Sequence, residues 1–260
     1  MILLGSLSYS KPLIKRFWIK INLYLRNMIA LITGSSKGIG LAIAKVFIKE
    51  GIEVILTGRN REELLALQLE LKSFNSQLRI WVHASDLSQR AGIDSLIQFI
   101  KKEKISLDIL VNNAGTFLQG TIKTEPDHQM ELLMNTNFYS VYHLTRGLLH
   151  HFIQKQSGAI FNMCSIAGLQ AYPGGSSYCI SKFALSGFSK CLREELKNDG
   201  VKVCTIYPGA TWSNSWAGAE LPEDRLMQGD DIAQAILAVL KMSPSAVVEE
   251  IILRPQLGDL

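Results

Sequence analysis

The chain has 260 residues, 47% of them hydrophobic and 19% charged, which is enough to bury a substantial core and reads as globular. The formal charge is +4, yet Lys11, Lys15, Arg16, Lys20 and Arg26 all fall in the first 28 residues, which hold no acid. The remainder therefore sits at −1, which gives no footprint for nucleic acid.

Residues 1–27 form an N-terminal extension. MILLGSL is apolar but precedes the basic residues, the wrong order for a secretory signal. No apolar run reaches the roughly 18 residues that a membrane span needs. Three readings fit LIKRFWIKINLYL: a basic amphipathic segment lying on a membrane surface, a poorly ordered leader, or an upstream start codon with Met28 as the working start.

From Met28 the pattern alternates. MIALIT (28–33) is an apolar strand, followed by the loop GSSKGIG and a periodic helix. VILT (54–57) is a strand and 61–73 a helix. LRIWVHA (78–84) is a strand, with a helix over about 88–103. LDILVNNAG (107–115) is a strand running into a loop, and one long helix follows over about 126–151. GAIFNMCS (158–165) is the fifth strand, 176–196 a helix, and VKVCTIYPG (201–209) the sixth strand. A helix over about 230–241 and a strand over 246–254 close the chain. Apolar strands alternating with helices predict parallel βαβ units, one doubly wound α/β domain over 28–260.

Four cysteines (Cys164, Cys179, Cys191 and Cys204) lack ligand spacing and are too few for a disulfide framework. Reduced thiols in a cytoplasmic protein are expected. No metal site is expected either: His150 and His151 are adjacent, and His128 and His143 have no acid at ligand spacing.

The loop TGSSKGIG (33–40) lies between a strand and a helix. Gly34, Gly38 and Gly40 permit a tight turn, and the helix N-terminus offers free N–H groups to a pyrophosphate. An acid after the second strand would accept the ribose hydroxyls of NAD. Here Thr57-Gly58-Arg59 has none, and Lys37 adds a second cation. Two cations suit a 2′-phosphate, so NADP(H) is expected over NAD(H). Tyr178 and Lys182 stand four apart on one helix face. A tyrosine titrates near pH 10, and an ammonium beside it lowers that value, so the pair forms a tunable acid/base. Ser165, at a strand's carboxyl end, can donate to a carbonyl oxygen.

These residues, with Asp86-Leu87, NNAG (112–115), MNTN ending at Asn137, and YPG (207–209), give a clear resemblance. Over about 28–254 the chain resembles the short-chain dehydrogenase/reductase family. The resemblance implies a single Rossmann-type doubly wound parallel sheet of about seven strands with helices on both faces. It implies that Tyr178 protonates a substrate carbonyl, Lys182 binds the nicotinamide ribose, Ser165 polarises the carbonyl, and Asn137 holds a relay water. Gly34, Ser36, Gly38, Ile39 and Gly40 would line the pyrophosphate. Asp86 and Leu87 would touch the adenine, and Asn113 its ribose side. Thr211, after Pro208-Gly209, would meet the nicotinamide carboxamide. It also implies a homodimer or homotetramer through the helices around 126–151 and 176–196. Two departures stand out: Cys164 replaces the usual small hydroxyl before the serine, and Ser213 replaces a threonine.

The stretch 210–227 occupies the family's substrate lid. Trp212 and Trp216 either face a ring substrate or pack the lid onto the body. The tail SAVVEEIILRPQLGDL (245–260) is similar to bacterial sepiapterin-reductase-like members, whose tail acid faces a pterin; Asp259 is the matching position. A pteridine side chain or a small dicarbonyl is the expected substrate. Two alternatives stand beside it, a 3-oxoacyl thioester reductase and an NADP-binding sensor or scaffold. The lid lacks the basic rim an acidic carrier would favour, and a scaffold has no need of an intact Asn-Ser-Tyr-Lys set.

Overall fold

The computed structural model describes residues 25–213, 216, 218 and 220–259. Seven strands form one parallel sheet in the order β3-β2-β1-β4-β5-β6-β7: β1 (Ile29–Ile32), β2 (Glu53–Gly58), β3 (Ile80–Ala84), β4 (Ile109–Asn112), β5 (Gly158–Met163), β6 (Val201–Pro208) and β7 (Glu250–Leu253). Alternate strand residues feed opposite faces, which is why the central strands read as unbroken apolar runs. Ala30, Ile32, Val54, Leu56, Ile109 and Val111 enter one core cluster; Leu31, Ile55, Leu110 and Ile160 enter the other.

The first face is covered by α1 (Gly38–Lys49), α2 (Arg61–Lys72) and, in the last crossover, α7 (Gly229–Leu240), through Phe47, Leu64, Leu71 and Ile236. The second is covered by α3 (Arg90–Lys102), α5 (Ser140–Lys155) and α6 (Ser176–Leu196), through Leu96, Ile100, Leu148, Phe152 and Leu192. The sheet order reverses between β1 and β4, and this switch point opens a crevice at the strands' carboxyl ends.

Two expectations are corrected. The helix expected over 126–151 is broken into α4 (His128–Met134), a π-turn (Asn135–Tyr139) and α5. Apolar periodicity does not register the one extra residue per turn that a π-turn inserts. The extension expected over 1–27 also yields its last residues to the fold. Leu25 is fully buried in the first cluster, and its carbonyl accepts the Met28 N–H. Residues 1–24 lie outside the described residues, and with them all of the expected surface segment except Leu25.

A buried polar chain joins the layers that carry the site. Asn112 Nδ2 donates to Thr145 Oγ1 at 2.9 Å and to Asn162 Oδ1 at 2.8 Å; Asn162 Nδ2 donates to Ser189 Oγ at 2.9 Å, and that hydroxyl to the Leu185 carbonyl at 2.8 Å. Each named donor is satisfied, so the chain registers α5 and α6 on β4 and β5 instead of penalising the core. No described helix is long and apolar enough to cross a membrane.

Candidate active site

The glycine loop is knitted from both flanks. Thr33 Oγ1 accepts the Asn113 and Ala114 N–H groups at 2.9 Å each. Asn113 Nδ2 returns to the Thr33 and Gly34 carbonyls at 2.8 and 3.1 Å. Ser35 Oγ accepts the Thr57 N–H at 2.9 Å. Gly34 and Gly38 take φ +63° and +57°, a region costly for side chains. A methyl group on Gly34 would also lie 2.9 Å from the Ala114 Cα.

Gly38 opens α1, which has no side-chain cap from Lys37 and no acid in its first turn. Its amides are therefore available to an anion. Space for one lies above: a methyl on Gly38 would meet nothing nearer than the Ser213 Cβ, at 3.6 Å. The residues thus fit a dinucleotide pyrophosphate. Ser36 lies over Gly58, and their chain neighbours Lys37 and Arg59 are both exposed. Ile39 follows in the first turn of α1, half-buried, and Gly40 is buried. Asp86 is exposed and Leu87 buried; Asp86 Oδ1 accepts the Ser88 N–H at 3.0 Å and so shapes the turn. Asn113 braces the loop with its amide nitrogen, a role its motif did not announce.

Tyr178 and Lys182 share one face of α6. Ser165, beyond the end of β5, accepts the Ala167 N–H at 3.2 Å and lies near enough to the Tyr178 hydroxyl to pull its pKa down. Lys182 is buried and donates Nζ to the Met163 carbonyl at 3.0 Å. Its own carbonyl accepts the Cys164 thiol at 3.2 Å, so the residue that departs from the family pattern staples the lysine to β5.

The expected electrostatics are corrected here. Desolvation pushes the Tyr178 phenol up to about 12, with Ser165 pulling the other way. Burial likewise pushes the Lys182 ammonium below its ordinary value. The lysine stands 5.7 Å over the tyrosine ring, bonded to a carbonyl rather than to the phenol. Desolvation of both groups outweighs the attraction that the four-residue spacing promises.

Asn137 sits in the π-turn, 1% exposed. Nδ2 donates to the Thr116 carbonyl at 2.9 Å and to Ser181 Oγ at 3.0 Å, while Oδ1 accepts the Thr116 N–H at 2.8 Å. Its amide therefore ties the loop after β4 to α6.

On the other side, Gly209 and Ala210 follow Pro208. Thr211 is buried, with Oγ1 on the Gly209 carbonyl at 3.0 Å. The Trp212 indole donates to the Glu223 carbonyl at 2.7 Å, which packs the lid. Trp216 donates its backbone N–H to the Ser213 carbonyl at 3.0 Å. The Asp259 carboxylate is engaged by Arg254 and the Ala210 N–H rather than presented freely. Sequence reasoning missed two rings at the mouth: Phe117, edge-on to Tyr178 at 5.0 Å, and Tyr172, whose phenol is pushed up to about 12 by burial and by Tyr178. They are 38% and 40% exposed, and no motif marks a lone aromatic in a loop.

The family model for short chain dehydrogenase matches residues 28–223. The chain belongs to that family. An oxidoreductase of Staphylococcus aureus (strain MW2) is 31% identical over 232 residues, 89% of this chain and 98% of its own. A 3-oxoacyl-[acyl-carrier-protein] reductase of Haemophilus influenzae is 32% identical over 222 residues, 82% of this chain and 90% of its own. An L-sorbose reductase of Gluconobacter frateurii, solved with NADPH and L-sorbose, superimposes with TM-score 0.80 at 27% identity, covering 87% of this chain and 94% of that one. All the short-chain dehydrogenase motifs from the glycine loop to Lys182 fall inside the match. The tail carrying Asp259 falls beyond it.

Proposed function

We propose that the protein is an NADPH-dependent reductase that turns a small carbonyl compound into an alcohol. The observation that carries this reading is Lys182 buried one turn along α6 from Tyr178, with Ser165 beside that phenol, in a sheet whose glycine loop leads into an uncapped α1 N-terminus. NADPH, when bound, supplies the hydride to the carbonyl carbon. The chain's own groups handle the oxygen. Ser165 donates to it and polarises the bond. Tyr178 gives it a proton as negative charge develops there. Lys182 is placed to hold the cofactor's ribose and, once the site is filled, to steady the phenolate left behind.

For the substrate, Phe117 and Tyr172 offer flat apolar walls beside Tyr178. A small aromatic or apolar dicarbonyl fits these better than a pteridine, because Asp259 is already ion-paired. The relative that reduces an acyl-carrier substrate keeps the thioester alternative in the test.

Loss of NADPH absorbance with an aromatic diketone, sepiapterin and a 3-oxoacyl thioester tests this reading. Turnover of the diketone is expected. Bound NADPH without turnover of any of the three would favour the sensor or scaffold. In the same assay Lys37→Ala/Arg59→Ala is expected to lower the preference for NADPH over NADH by about tenfold or more. An unchanged preference would remove these two cations from the 2′-phosphate site. Free cysteines throughout the described residues fit a reducing compartment such as the cytoplasm. Exposed Tyr139 in the π-turn, Ile153 on α5, and Ile180 and Phe183 on α6 give this side the apolar outer face a homo-oligomer requires, and a monomer by light scattering would refute that assembly.

A further inference from the structure

The C-terminal tail closes on the loop that follows β6. The Leu253 carbonyl at the end of β7 accepts the Gly209 N–H at 2.7 Å. Pro255–Gly258 then makes a turn, with the Gly258 N–H on the Pro255 carbonyl at 2.9 Å and Gly258 at φ +80°. The turn swings Asp259 back over Gly209.

There the carboxylate bridges two partners. Oδ1 accepts the Ala210 N–H at 3.3 Å, and Oδ2 accepts Arg254 Nε at 2.6 Å within a two-pronged ion pair. The Asp259 side chain is 16% exposed, so solvent screens these bonds only in part. Ala210 is held from its other side as well, its carbonyl accepting the Met227 N–H at 3.2 Å. Arg225, near the end of the 210–227 stretch, donates Nη1 to the Gly258 carbonyl at 2.9 Å and so ties the end of that stretch to the tail. The fit is close: a methyl group on Gly209 would lie 2.2 Å from Asp259 Oδ1 and 3.2 Å from Pro255 Cδ.

We propose that Asp259 is a positioning residue, fixing Gly209–Thr211 and with them the nicotinamide end of the cofactor site, rather than a group that binds the carbonyl substrate. The proposal rests on the reading above that this loop meets NADPH. It assigns the tail a task that neither its length nor its short motif reveals. A free acid near a lid reads as a substrate ligand, whereas this one is spent on an arginine and a backbone amide.

NADPH titration by fluorescence, with steady-state kinetics at saturating NADPH, tests it. Asp259→Asn keeps the shape but removes the charge. It is expected to weaken NADPH binding by about tenfold and to leave the substrate KM unchanged. Gly209→Ala is expected to weaken NADPH binding too, because its methyl collides with the carboxylate. The double variant Gly209→Ala/Asp259→Ala is expected to lose less than the two single losses multiplied, since the closest colliding atom is gone and only the Pro255 Cδ contact at 3.2 Å remains. Unchanged NADPH affinity in Asp259→Asn overturns the proposal. So does a rise in substrate KM alone, which would turn the acid toward the substrate, and so do additive losses in the double variant. If Asp259→Asn does not fold, Arg254→Gln leaves the carboxylate without its partner and is expected to weaken NADPH in the same direction; no effect there also overturns the proposal. A wild-type protein that binds no NADPH would instead sink the functional reading, and this proposal with it.

Discussion

Tyr178→Phe is expected to lower kcat for NADPH-driven carbonyl reduction by roughly 10²- to 10⁴-fold, the range for a positioned proton donor. The variant keeps the ring and its edge-to-face contact with Phe117 at 5.0 Å, so the fold and NADPH binding should persist. What it loses is the hydroxyl beside Ser165 that delivers the proton. Ser165 keeps the Ala167 N–H and stays in place. Steady-state rates beside NADPH titration decide it; retention of more than about a tenth of the wild-type kcat would remove Tyr178 from the acid's role.

The pH dependence follows from the same burial. With its phenol near 12, Tyr178 carries its proton throughout the neutral range, so reduction should not slow through this group until strongly alkaline pH. Stability has a matching sign. The folded value lies above the ordinary 10.0, so the contribution is whole below that pH and is lost as pH rises toward 12. Denaturant melts across this window should show a shallower alkaline decline for Tyr178→Phe than for wild type.

Gly40→Ala should damage the cofactor site severely. Inside a helix alanine is favoured over glycine by about 1 kcal/mol, so local propensity alone predicts a gain. Tertiary contact reverses the sign. The new methyl would lie 2.4 Å from the Gly34 carbonyl oxygen and 2.5 Å from Asn113 Nδ2. Those two groups are themselves bonded at 3.1 Å, so neither can retreat without breaking the brace that shapes the loop. Overpacking of this kind costs about 1–3 kcal/mol. If the loop absorbs that strain, NADPH affinity should fall by roughly 10- to 100-fold. Calorimetric titration with NADPH and a thermal melt measure the two effects; a variant with higher Tm and unchanged affinity would mean that the loop and α1 stand further apart than described.

Much of the architecture could be read directly from residue order. Ile29–Ile32, Val54–Leu56, Ile109–Val111 and Ala159–Phe161 are apolar on both faces, the mark of strands covered by helices on either side. α6 was legible to the residue, Ser176–Leu196, because its periodicity is unbroken. The π-turn was not, since one inserted residue leaves the apolar pattern almost intact. Phe117 and Tyr172 escaped because a ring in a loop carries no spacing signal.

Sequence spacing thus determined the alternation of strands and helices, the glycine loop, and the placing of Tyr178 and Lys182 on a single helix face. Those are local properties, set by backbone periodicity over a few residues. The tertiary structure decided what these groups are. Lys182 ends on the Met163 carbonyl, Asn137 on Thr116, and Asp259 on Ala210, 49 residues away in sequence. Partners so distant in the chain are chosen by packing. The same packing strips water from Tyr178 and Lys182, and that desolvation sets their proton affinities more strongly than their spacing does.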